Sequence, residues 1–142
     1  MAETTPEAAT EPREDGSRAA VRDDAAAAAI YYDGGCPVCA REIGTYRAMA
    51  GAEAVEWVDV DDRANAGRLP DGLDRDTLVN RFTVRRRDGR LADGAAGFFA
   101  MWRGLPRMRR VALALDRPPF RQVAEGAYRL FLAVRPLWRR PG

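Results

Sequence analysis

The segment Ile30-Tyr31-Tyr32-Asp33-Gly34-Gly35-Cys36-Pro37-Val38-Cys39 constrains the fold of this chain more than any other. Its β-branched and aromatic start favours a strand, and Asp-Gly-Gly ends that strand in a turn. Pro37 suits the first position of a helix, where its missing N–H breaks no intrahelical bond. Cys39, Ile43, Tyr46 and Ala50 then recur at i, i+4, i+7 and i+11, one stripe of a helix, while Arg41, Glu42, Thr45 and Arg47 fall off it. Gly51 suits the stop. The reading is strand, tight turn, and a helix from Pro37 to about Ala50.

This placement separates the two cysteines chemically. The thiolate is the reactive form, and it forms where a cysteine is accessible and its charge supported. Cys36 falls at the N-cap, where unpaired N–H groups and the helix dipole favour a negative charge, and it is expected to be exposed there. Cys39 lies on the apolar stripe and is expected to face the core. Cys36 is thus the expected attacking thiolate and Cys39 the resolving thiol of a disulfide exchange. Glu42, off the stripe, reads as a helix-surface charge. Asp33 is the carboxylate nearest in sequence. It fits either of two roles, a proton relay for Cys39 or an Asx residue that shapes the turn, and the residues alone leave both open.

Absences narrow the chemistry further. The chain has no His, and all 23 basic residues are Arg. Ser-His and Cys-His nucleophiles, His metal ligands, Schiff-base lysines and P-loops are therefore excluded. Zinc requires about four ligands. Two cysteines supply half of them, so a site would need Asp33 or Asp59, or two chains sharing a four-cysteine site. No cofactor and no metal is expected. A purely structural role for two buried thiols is the other alternative, and the Asp-Gly-Gly turn argues against it by presenting Cys36 at a helix start.

Charge is distributed unevenly: net −4 over residues 1–24, −5 over 25–80 and +11 over 81–142. A basic half of this kind can dock a partner, nucleic acid or an anionic membrane surface. Because Arg is the sole cation, it must also decorate every solvated helix face. An RNA-binding sheet interleaves aromatics with its basic residues, whereas Arg85, Arg86 and Arg87 have only Phe82 nearby. Nucleic acid is not an expected partner.

Residues 1–29 hold no large apolar side chain except Met1 and Val21, too little to offset the entropy of ordering, and are expected to form a disordered tail. A single folded domain is expected over 30–137 and a basic tail over 138–142. The chain lacks a basic start followed by an apolar stretch, and it lacks a run of roughly 18–20 apolar residues. It is therefore expected to be cytoplasmic, with no membrane span. In that compartment a lone Cys-x-x-Cys is catalytic or metal-binding more often than a structural staple.

Downstream, Val55–Val60 reads as a second strand, parallel to the first because a helix joins them. Asp61 to Gly72 reads as loop, with a short helix starting near Asp74. Asp88-Gly89 between Phe82–Arg87 and Arg90–Ala92 is a hairpin signal. Three helical stripes follow: Ala95, Phe98, Phe99 and Trp102; Met108, Val111, Ala112 and Leu115; and Phe120, Val123, Ala124, Ala127, Phe131 and Val134. Their aromatics are expected to be core, with a break at Pro118-Pro119. The order is that of an α/β, thioredoxin-like or glutaredoxin-like fold: a βαβ unit plus a β-hairpin, with helices packed on the sheet.

YYDGGCPVCAREIGTYR resembles the signature of the DCC family of thiol-disulfide oxidoreductases, named for an Asp-x-x-Cys-x-x-Cys motif that falls here on Asp33, Cys36 and Cys39. VEWVDVDD resembles the family's second strand, RDGRLADGAAGFFAMWRGLP its hairpin and following helix, and AEGAYRLFLAVR its final helix, so the likeness covers about Ile30 to Arg135. The resemblance implies a thioredoxin-like fold and protein-disulfide reductase activity, with Asp33 joining Cys36 and Cys39 as a site residue. The implied partners are a protein or small-molecule disulfide substrate and a thiol reductant. One departure from thioredoxins stands out. Their substrate groove lies beside a cis-proline just before the third strand, and Val79-Asn80-Arg81-Phe82-Thr83 contains no proline. A changed or missing peptide-binding edge is expected.

Overall fold

The computed structural model describes residues 23–138. Strand β1 (Ala27–Tyr32) leads through the Asp-Gly-Gly turn into helix α1 (Pro37–Arg47), and β2 (Glu56–Asp59) returns parallel to β1. Helix α2 (Arg75–Asn80) precedes the hairpin of β3 (Thr83–Arg86) and β4 (Leu91–Asp93). Helices α3 (Gly94–Arg103), α4 (Pro106–Leu115) and α5 (Phe120–Val134) follow, and a tight helical turn spans Arg135–Leu137. The sheet order is β2-β1-β3-β4, with β3 antiparallel to both of its neighbours. This is the thioredoxin-like arrangement expected from the sequence.

β1 is an interior strand and supplies two cores, its alternation shifted by a bulge between Ala27 and Ala29. Ala27 and Ile30 join Ile43 and Tyr46 of α1 and Ala100 and Met101 of α3 on one face. Ala29 and Tyr31 join Val58 and Val60 with Leu78 and Val79 of α2 on the other. The register sets Ile30 opposite both Trp57 and Val84, which holds the β1 terminus, and with it the cysteine turn, in a fixed position. The hairpin forms as expected, with Gly89 at φ +85°. Asp74 caps α2 by accepting the Thr77 N–H at 2.8 Å.

Several boundaries differ from expectation. The folded region begins before Ile30: Ala26, Ala27 and Ala29 are fully buried, and Asp23 binds Arg103 and Arg109 at 2.8 and 2.6 Å. Alanine carries little hydrophobic signal, and sheet pairing, not propensity, recruits these residues. At the other end, Trp138 packs against Phe131 with ring centroids 5.8 Å apart, so it belongs to the domain. Residues 1–22 and 139–142 of the expected tails lie outside the described residues. α1 ends at Arg47, one turn early. Gly51 adopts φ +92° in the following loop, where a Cβ would lie 2.8 Å from the Gly104 carbonyl oxygen.

The last two helical stripes are only partly core. Ala112 and Tyr128 are buried, whereas Val111, Phe120 and Val123 are exposed. α5 packs on α3 through Tyr128, which is not on the expected stripe, because the apolar arc of α5 is wider than the face it buries. Much of the basic half is spent on ion pairs within the fold, Arg81 with Asp93 and Glu125, Arg86 with Asp88 and Arg121 with Asp116. Among the described residues no helix is long and apolar enough to cross a membrane.

Candidate active site

The turn after β1 is built by two carboxylates. Asp33 Oδ1 accepts the Gly35 N–H at 3.0 Å, and the Asp33 carbonyl accepts the Cys36 N–H at 3.3 Å. Asp59, at the end of β2, accepts the N–H groups of Gly34 and Asp61, both at 2.9 Å. A Cβ on Gly34 would meet the Asp59 carboxylate at 2.0 Å, so this position requires glycine. The glycines let the chain pass close to β2 and deliver Cys36 to the start of α1.

Cys36 is the N-cap of α1, and its Sγ accepts the Cys39 N–H at 3.3 Å, with Pro37 following at the first helical position. The Cys36 sulfur thereby takes up one of the free donors at the helix start. Both cysteines are free thiols. Their exposure is the reverse of expectation. Cys36 has no accessible surface, whereas Cys39 is partly exposed and lines a cavity. The capping bond accounts for part of this: it folds the Cys36 sulfur back over the first helical turn. Burial and the neighbouring Cys36 together push the Cys39 thiol far above the ordinary cysteine range, so Cys39 holds its proton.

Asp33 takes the turn-shaping role that its position in the sequence allowed, and it also meets a cation. Oδ1 shapes the turn, while Oδ2 lies 3.8 Å from Nη1 of Arg135 in an ion pair whose side chains are 3% and 8% exposed. Asp33, Cys39 and Arg135 line one cavity of about 40 Å³. That volume admits a water molecule or two, not a substrate. The opposite walls are apolar and aromatic. Phe82 stacks on Phe98 with centroids 4.3 Å apart, and Phe98 meets Tyr128 edge-on at 5.9 Å.

The segment without proline contributes to this wall. The Phe82 N–H, just before β3, donates to the Tyr128 hydroxyl at 2.6 Å, so α5 occupies the edge beside the dithiol. Tyr128 and Arg135 were not singled out by sequence reasoning. The available signal was their shared helical face with Phe131, at i, i+3 and i+7, and an arginine on that face reads as a surface charge until its partner is known. Among the described residues no three Cys, Asp or Glu side chains converge as a metal cage would.

The family model described as DCC1-like thiol-disulfide oxidoreductase matches residues 30–141. No curated protein and no solved structure shows a significant match to the chain.

Proposed function

The chain belongs to the DCC1-like thiol-disulfide oxidoreductase family, and on that premise we propose that it works as a disulfide reductase whose redox pair is Cys36 and Cys39. The observation that carries this reading is the 3.3 Å bond from the Cys39 N–H to the Cys36 sulfur at the start of α1. It gives the Cys36 sulfur a donor at the helix start, while burial and the neighbouring Cys36 keep Cys39 protonated.

In the proposed cycle the Cys36 thiolate attacks one sulfur of a substrate disulfide. A Cys36–substrate disulfide forms, and the second substrate sulfur leaves as a thiolate. Cys39 then gives up its proton, attacks the Cys36 sulfur and closes the Cys36–Cys39 disulfide as the remaining substrate thiolate leaves. Protons from Cys39 and solvent convert both products to thiols. The substrate gains two electrons, the dithiol loses two, and a thiol reductant restores the dithiol by the same exchange in reverse. Asp33, on the cavity wall shared with Cys39, is the proposed acceptor of the Cys39 proton.

The reductase direction suits a reducing compartment such as the cytoplasm. Because Cys36 has no surface, a substrate disulfide reaches it only after local opening of the chain around the dithiol. The test is turnover of an aromatic disulfide with glutathione as the reductant. Steady turnover that is lost in Cys36→Ser supports the proposal, and a wild-type protein no faster than glutathione alone contradicts it.

A further inference from the structure

Arg135 stands in the turn that ends α5, almost a hundred residues from the cysteines, yet its side chain is nearly enclosed in their site. A buried guanidinium is costly unless anions balance it. Asp33 does so at 3.8 Å, a distance for charge and not for a direct hydrogen bond between these atoms. Among the described residues lining the cavity, Arg135 is the one cation.

The other titratable groups on the walls leave it no competing task there. Tyr32 from β1 and Tyr128 from α5 are pushed above the ordinary tyrosine value, first of all by burial, and remain neutral near pH 7. Glu42 from α1 is exposed and accepts the Tyr46 hydroxyl at 3.1 Å. Asp33, Cys39 and Arg135 share the cavity wall, and the Cys36 sulfur accepts the Cys39 N–H.

Resting on the disulfide-exchange reading above, we propose that Arg135 is the shared counter-cation of the redox site: it balances the Asp33 carboxylate while Cys39 is a thiol, and the Cys39 sulfur once its proton has passed to Asp33. Of these three groups, one is then an anion and one a cation both before and after the proton moves. Ionising Cys39 with Asp33 still charged would instead place two anions beside one cation in an apolar pocket, where charge is poorly screened. The electrostatics agree in sign. Arg135 eases ionisation of Cys39, whereas Asp33 as a carboxylate opposes it. Arg135 is thus a positioning residue, acting on the resolving step through charge.

The experiment follows two-step release of thionitrobenzoate after mixing the reduced protein with dithiobis-nitrobenzoate, from pH 6 to 10. The first release marks loading of Cys36, and the second marks its resolution by Cys39. Arg135→Met removes the charge and keeps the bulk, Arg135→Gln serves if the Met variant fails to fold by circular dichroism, and Arg135→Lys restores the charge. The second release at pH 7 is expected to slow about tenfold or more in the neutral variants and to recover as pH rises, because the resolving thiolate becomes scarcer. The Lys variant is expected within about threefold of wild type. A neutral variant with the wild-type rate and pH profile, or a Lys variant as slow as Met, overturns the proposal. Loading and resolution by a wild-type chain that fails to turn over a disulfide with glutathione overturns the reductase reading, while the Arg135 comparison stands on its own.

Discussion

The backbone N–H of Phe82 donates to the Tyr128 hydroxyl at 2.6 Å, tying the residue before β3 to helix α5. A thioredoxin presents a substrate groove at this edge beside its dithiol. Here a side chain from the last helix satisfies the backbone donor, and the Phe82 and Phe98 rings close the wall behind it.

Tyr128→Phe is therefore expected to destabilise the fold by about 0.5–1.5 kcal/mol, the net worth of a hydrogen bond whose donor is partly buried. Urea unfolding measures this. The same variant is expected to react faster with a protein disulfide, since α5 is held less firmly over the dithiol. Unchanged stability contradicts the role given to this bond.

Two glycines in the same region should respond oppositely to alanine. Gly34→Ala drives a methyl into the Asp59 carboxylate, which must shift and release the two N–H groups it accepts, at an expected cost of about 1–3 kcal/mol. Gly44, within α1, has nothing within 4 Å of its would-be Cβ. Gly44→Ala is expected to stabilise by about 0.5–1 kcal/mol through helix propensity alone. Thermal unfolding of both variants checks the contrast.

These contrasts also show what the sequence reveals. Strand, turn and helix around Cys36 are legible because aromatics, Asp-Gly-Gly and Pro37 each act locally, and Asp88-Gly89 announces the hairpin for the same reason. Ala26 to Ala29 enter the fold only because β2 and β3 pair with β1, a tertiary effect that alanine does not advertise. The burial of Cys36 was missed because helical spacing places the N-cap residue but does not say that its sulfur folds back onto the Cys39 N–H. Arg135 was missed because its partner Asp33 lies at the far end of the domain in sequence, and spacing carries no information about a contact of that range.

Acid should loosen the anchored N-terminal segment within a defined window. Burial opposes ionisation of Asp23, but hydrogen bonds from Arg103 and Arg109 outweigh it and hold the carboxyl at about 2, below its ordinary 3.8. A depressed folded value means the contribution is complete above the unfolded value and is lost as pH falls from about 4 through 2. Partly screened, it is worth about 1–2 kcal/mol. Thermal midpoints between pH 2 and 6 should fall more steeply for wild type than for Asp23→Asn, and parallel curves would contradict the assignment.

The division of labour between the two thiols is tested most directly by trapping. Cys39→Ser and Cys36→Ser are each mixed with excess disulfide at pH 7, and intact-protein mass is followed over time. The account predicts that Cys39→Ser accumulates a mixed disulfide on Cys36, the proposed attacking thiol at the helix start. Cys36→Ser should accumulate little, because burial keeps Cys39 protonated. Equal trapping by the two variants, or more by Cys36→Ser, would contradict it.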